Sequence, residues 1–255
     1  MQSRAKIAVA GATGRAGHHA VDLLERAGHE VVPISRSSGV DVITGQGLPQ
    51  ALAGVDCIID AATGPSPEED AATRFFVTAA QNLHDAGERA GVKRMVVVSI
   101  IGCDRFAGGY GRAKAAHERA ALAGPIPTRI LRAAQFHEFV GQLMDWGRQR
   151  DVSYVPKMRT QPVAARSVAE ALADLATDRV EPNPEVDEVI PEIAGPREER
   201  LVELARLLAA RRGEPPRVEE SSDPNDPDAA LFASGALLPG PTAILAGPTF
   251  EEWLG

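Results

Sequence analysis

The stretch Ile7-Ala8-Val9-Ala10-Gly11-Ala12-Thr13-Gly14-Arg15-Ala16-Gly17 decides the fold. A short apolar run gives way to three glycines at a spacing of three. Val21, Leu23 and Leu24 then recur at helical spacing up to Ala27-Gly28. The pattern predicts strand, glycine turn and helix. Each glycine has a physical task there: one permits a tight reversal, one lets backbone N–H groups approach a pyrophosphate, one lets the helix sit close to its strand. The first helical turn offers unpaired N–H groups and the positive end of its dipole to phosphates. With 24 glycines in 255 residues, the glycine spacing alone occurs by chance about 0.2 times per chain, so its place after a strand and before a helix is what gives it weight.

Outward from the turn, strands and helices alternate. Glu30 to Ile34 reads as the second strand, Gly39 to Ile43 as a short third, Val55 to Asp60 and Arg94 to Ser99 as strands buried on both faces, and Thr128 to Leu131 as a further one. Helices are predicted over Glu68 to Ala90, Tyr110 to Ala123 and Phe136 to Gln149. Ser167-Val168-Ala169-Glu170 reads as a capping box opening a helix to Ala176. A further helix is expected from Arg197 to Arg212, with Leu201, Leu204, Leu207 and Leu208 inward. Glu214 to Asp228, rich in proline and acids, reads as a loop, and Thr249 as the cap of a last short helix. The alternation predicts an α/β, Rossmann-like, doubly wound parallel sheet. Residues 1–155 would form the nucleotide-binding domain, and 156–255 a small C-terminal substrate lobe interleaved with it.

Composition narrows the function. A net charge of −8 argues against nucleic-acid binding, which needs basic surface. No apolar run is long enough to span a membrane, and a cytoplasmic location is expected. Cys57 and Cys103 lack disulfide or metal spacing and read as core residues, Trp146 and Trp253 as packing residues; no metal site is predicted.

About 20 residues past the glycines, where an acid would hold a ribose 2′-hydroxyl, the chain has Ser35-Arg36-Ser37-Ser38. A guanidinium among hydroxyls suits a 2′-phosphate, which favours NADP(H) over NAD(H). Ala61-Ala62-Thr63 and Ser99 follow strands at the edge where such folds bind ligands. Tyr110 and Lys114 stand at i and i+4 in a chain with two tyrosines and four lysines against 23 arginines; chance gives about 0.03 such pairs. On one helix face, the lysine charge would lower the tyrosine pKa, and the tyrosine would pass a proton to a carbonyl oxygen held by Ser99. His137 is a second acid candidate, though a helix-start histidine bonded to backbone is the plainer reading.

The Gly11/Gly14/Gly17 turn, the Arg36 loop, Ser99 and Tyr110…Lys114 together resemble an atypical short-chain dehydrogenase/reductase of the NmrA-like NAD(P)-binding branch, over residues 5 to 180. Gln161-Pro162-Val163 resembles that family's turn into its substrate lobe. The resemblance implies that Thr13, Gly14, Arg15, Ala16 and Gly17 hold the pyrophosphate and Arg36 the 2′-phosphate. It further implies that Ala61, Ala62 and Thr63 line the nucleotide cleft and that Lys114 binds the nicotinamide ribose. Many members of the branch lack the tyrosine and act as sensors. This chain keeps one, although Gly111 behind it weakens the helix start by up to about 1 kcal/mol. Two functions follow as expectations: an NADP(H)-dependent reductase of a small carbonyl or quinone-like acceptor, and a non-catalytic NADP(H) sensor with a protein partner. A nucleotide-sugar epimerase is disfavoured, because those chains carry a larger carboxy-terminal domain.

Overall fold

The computed structural model describes residues 4–178, 190–223 and 226–255. Its first half alternates β1 (Lys6–Ala10), α1 (Gly17–Arg26), β2 (Glu30–Ile34), α2 (Leu48–Ala51), β3 (Cys57–Asp60), α3 (Glu69–Ala90), β4 (Arg94–Ile100), α4 (Gly109–Leu122) and β5 (Thr128–Ala133). The second half runs α5 (His137–Trp146), β6 (Arg148–Gln149), β7 (Val152–Pro156), β8 (Arg159–Thr160), α6 (Ala165–Ala176), β9 (Glu192–Ala194) and β10 (Glu199–Arg200). It ends with α7 (Leu201–Arg212), β11 (Arg217–Ser221), α8 (Ala229–Ser234), β12 (Ile244–Leu245) and α9 (Phe250–Leu254).

Seven strands form one parallel sheet in the order β12-β9-β5-β4-β3-β1-β2. Its near-continuous apolar strands make sense because both faces are covered. Ile7, Val9, Cys57, Ile59 and Val96 enter the core under α1 and α6. Ala8, Ala10, Ile58, Met95 and Val97 enter the one under α3. The Rossmann-like α/β architecture expected from the sequence is therefore present. Residues beyond 155 rejoin this sheet through β9 and β12 and cover it with α6. A separate apolar cluster, with Val140, Met144, Leu201, Leu204 and Phe250, packs α5, α7 and α9 together.

Several expectations are corrected. Gly39 to Ile43 is not a strand. Asp41 bends the chain by accepting the Ile43 amide at 2.7 Å, and the Asn82 side chain donates to the Val42 and Ile43 carbonyls at 2.8 Å each. The helix from 136 stops at Trp146, because Arg148–Gln149 pairs with β7. Ser167 caps nothing. α6 begins at Ala165, whose amide is met at 3.2 Å by the Glu138 carboxylate from α5. Glu199–Arg200 pairs antiparallel with β8, so the last long helix starts at Leu201, and Leu207 lies 40% exposed rather than inward. Within the expected loop from Glu214, Arg217–Ser221 is a strand paired with β7. Trp146 is 57% exposed, whereas Trp253 packs against His137 and Phe250. The Thr249 capping box on α9 and the buried Cys57 and Cys103 are as expected.

Candidate nucleotide-binding and catalytic site

The site is built at the carboxyl edge of the parallel strands, where the chain leaves β1, β2, β3 and β4. After β1, Gly11 adopts φ +75°, and a side chain there would collide with the Ala61 carbonyl at 2.5 Å. At Gly17 a Cβ would lie 2.1 Å from the Gly11 carbonyl oxygen, whereas at Gly14 it would lie 3.1 Å away. The turn therefore closes on itself and sets α1 directly behind it. No side chain caps α1; the His18 amide is met by the Gly14 carbonyl at 3.1 Å, and the positive end of the helix dipole is left to an outside anion. A closely folded glycine turn leading into an uncapped helix fits a pyrophosphate. The Arg15 guanidinium crosses to α5 and donates to Gln142 Oε1 at 2.6 Å.

After β2, Ser35 caps the 3₁₀ turn Arg36–Ser38 and its hydroxyl lies 2.9 Å from that of Ser37. Arg36 is exposed, and among the described residues it has no ion-pair partner. After β3 come Ala61, Ala62 and Thr63. The Thr63 hydroxyl lies 3.1 Å from that of Tyr110 at the start of α4, so the structure brings together the β3 edge and the tyrosine. Burial, the largest influence, pushes the Tyr110 phenol above its ordinary pKa. The Thr63 bond and the Arg15 charge pull part of the way back.

Lys114 does not face the phenol. It is 4% exposed and donates to the Val98 carbonyl at 2.7 Å and toward His117 Nδ1 at 2.9 Å. Its ammonium sits 4.4 Å over the Phe76 ring, and that ring meets Tyr110 edge-on at 5.6 Å. Burial lowers Lys114 to about 8 despite Asp60 and Glu118 nearby. The expected lowering of the tyrosine pKa by this lysine is thus corrected: an aromatic ring stands where the charge would act. His117 Nε2 lies 3.0 Å from Asp60 Oδ2, and burial, then Lys114, lowers its pKa. A neutral imidazole therefore accepts from Lys114 and donates to Asp60. Burial, the largest influence, would raise Asp60, but the bonds from His117 and the Ala62 amide together with the Lys114 charge outweigh it and keep the carboxyl ionised.

Ser99 is 1% exposed and donates to Cys103 Sγ at 3.8 Å. It belongs to a second buried cluster, in which Cys103 donates to Glu118 and Glu118 receives a two-bond fork from Arg132 at 2.9 and 2.8 Å. Burial pushes the Cys103 thiol up to about 12, which leaves it unreactive. Sequence reasoning missed Asp60, Phe76, His117 and Glu118. Two of them carried a signal, since residues three and four places beyond Lys114 share its helix face. His137 donates its backbone N–H to Val163, and its ring nitrogen lies 3.1 Å from the Pro248 carbonyl, the plainer of its two readings.

A cavity of about 350 Å³ is bounded by Leu143, Trp146, Tyr154, Lys157, Asp226 and Phe232. Two contacts tie its walls to the cleft. Leu143 follows Gln142, the partner of Arg15, and Phe232 meets Phe106, whose ring fills the space beside Gly111. No group of acidic, histidine or cysteine side chains among the described residues has the arrangement of a metal site. No described helix is long and apolar enough to cross a membrane.

The family model described as NAD(P)H-binding matches residues 11–179. No curated protein matches the chain in sequence. Among solved structures, MoeE5 in complex with UDP-glucose and NAD superposes with a TM-score of 0.71 at 20% identity, covering 98% of this chain and 96% of that one. The UDP-N-acetylglucosamine 4-epimerase from Bacillus cereus gives 0.67 at 18% identity, with 98% and 94% covered. The Citrobacter sp. triphenylmethane reductase complexed with NADP(H) gives 0.64 at 17% identity, with 98% of each covered. At these identities the likeness is one of fold.

Proposed function

Because the chain belongs to the NAD(P)H-binding family and its neighbours in fold include an epimerase and a reductase, we propose that it is an NADP(H)-dependent oxidoreductase acting on a small carbonyl or quinone-like acceptor. The observation that carries this reading is the Tyr110 hydroxyl, held 3.1 Å from Thr63 at the edge of the nucleotide cleft. The turn from Thr13 to Gly17 and the start of α1 would hold the pyrophosphate, Arg36 the 2′-phosphate, and Ala61 to Thr63 the wall of the cleft. When bound, the nicotinamide supplies or removes hydride.

The chain's own part is the proton. Tyr110 Oη donates to the acceptor oxygen, Thr63 hydrogen-bonds the phenolate left behind, and the Arg15 charge favours that phenolate. A phenol raised above its ordinary value is protonated across the neutral range. Reduction is thus expected to run level through neutral pH and to fall as pH rises past the raised value. Lys114, whose ammonium bonds the Val98 carbonyl and points toward His117, would bind the nicotinamide ribose with its remaining N–H. The planar faces of Trp146 and Phe232 suit a flat acceptor in the adjoining cavity, and Ser99, turned toward Cys103, stands behind the site rather than in it.

A second reading, a non-catalytic NADP(H) sensor, draws on one observation: Lys114 is engaged within the fold, away from the phenol. NADPH consumption over a panel of aldehydes and quinones separates the two. Catalysis by the tyrosine predicts turnover that falls about 100-fold or more in Tyr110→Phe. NADPH binding without turnover on any acceptor, unchanged in that variant, would leave the sensor.

A further inference from the structure

Ala107-Gly108-Gly109-Tyr110-Gly111 is a poor sequence for holding a side chain still. Three of its five residues are glycine, which surrenders the most backbone freedom on ordering, and α4 starts with no capping side chain of its own. The amides leading into α4, and its first one, are met instead by two carboxylates distant in the chain. Asp228 Oδ1 accepts from the Ala107 amide at 2.8 Å and Oδ2 from the Gly108 amide at 3.3 Å. Glu69 Oε2, from the first turn of α3, accepts from the Gly109 amide at 2.8 Å, while Oε1 lies 3.3 Å from the Arg112 guanidinium.

We propose that Asp228 and Glu69 are positioning residues that together fix Tyr110 against Thr63; the inference rests on the reading of Tyr110 as proton donor. Asp228 is only 6% exposed, and charge-assisted bonds to amides in such a setting are about twice as strong as neutral ones. The segment carrying it is fastened along its length: Phe232 meets Phe106 edge-on at 5.7 Å, and the Ala236 carbonyl receives the Arg105 guanidinium at 2.8 Å. Asp226 and Phe232 from the same segment bound the cavity assigned to the acceptor. The stretch of chain that forms the acceptor wall therefore also holds the tyrosine loop. Displacing one displaces the other, which makes Asp228 the link between acceptor shape and proton donor.

The chain has two tyrosines, so in Tyr154→Phe the phenolate absorbance titration reports Tyr110 alone. Adding Asp228→Ala is expected to bring that titration down toward the ordinary phenol value as the ring gains water. In the otherwise wild-type chain, Asp228→Ala is expected to lower kcat by about 10-fold or more and to leave the Kd for NADPH within about twofold. Asp228→Asn, which keeps one acceptor oxygen, should recover part of both losses. If Asp228→Ala fails to fold, Glu69→Gln, at a half-exposed site, is expected to move the titration the same way by less. A titration and kcat unmoved in Asp228→Ala, or in both Asp228→Asn and Glu69→Gln, overturns the proposal. If instead the titration moves while Tyr110→Phe turns over like wild type, the positioning stands and the assignment of Tyr110 as donor fails.

Discussion

At the scale of single residues, charge decides most of what can be tested. Arg36 stands exposed among hydroxyls, which costs little in the free protein and gives a 2′-phosphate several donors. Charge-assisted bonds of this kind contribute about 1.5–3 kcal/mol. Arg36→Ala is therefore expected to weaken NADPH about 10- to 100-fold while leaving NADH within about twofold, as read by titrating both coenzymes; equal losses would remove the 2′-phosphate assignment. Lys114 makes the opposite case, a charge put where it is costly. Its folded value of about 8 lies below the 10.5 of a free lysine, so the unfolded chain holds more protons between those two pH values. Stability from this group must then rise with pH across that window, because burial penalises only the charged form. Thermal melts from pH 8 to 10.5 are expected to show wild type gaining on Lys114→Met, and parallel curves would mean that the ammonium is not buried as described.

At the scale of elements, the glycine turn shows what local sequence can and cannot reveal. Its conformation depends on neighbours within a few residues, which is why Gly11, Gly14 and Gly17 were legible from their spacing. The two outer glycines are not equivalent to the middle one. A methyl at Gly17 runs into backbone, which cannot turn aside, whereas at Gly14 a few tenths of an ångström suffice. Gly17→Ala is expected to cost about 1–3 kcal/mol or more and to abolish NADPH binding, and Gly14→Ala less than about 1 kcal/mol; thermal melts with coenzyme titrations compare them. Longer-range features left no such trace. The side from which Lys114 is satisfied depends on Phe76 and Val98, and the cap of α6 comes from Glu138 rather than from Ser167. The short strand at Arg217 exists only because β7 is there to pair with it, which overrides the loop-like composition around it.

At the scale of the whole molecule, the question is whether the region beyond residue 155 is an appendage or part of one cooperative unit. The apolar cluster that its α7 and α9 build with Val140 and Met144 of α5 is separate from the two sheet cores, which alone would allow independent melting of that cluster. Against that, β9 and β12 complete the central sheet, α6 covers it, and Asp228 is bonded to the loop before α4. Unfolding the second region would strip β5 of its neighbour and uncover the α1 face of the sheet, exposing apolar surface at about 25 cal/mol per Å². The two regions are thus expected to melt together. Leu204, on α7 and fully buried in the cluster with α5 and α9, tests this: Leu204→Ala should cost about 2–5 kcal/mol, lowering the single calorimetric transition by about 5–15 °C at a few degrees per kcal/mol for a chain of this size. A variant that splits the trace in two, with the upper step at the wild-type temperature and NADPH still protecting it, would mean that the nucleotide-binding part stands alone. In that event the bond from Asp228 to the Tyr110 loop could not couple the two regions, since the lobe would come away without disturbing the sheet.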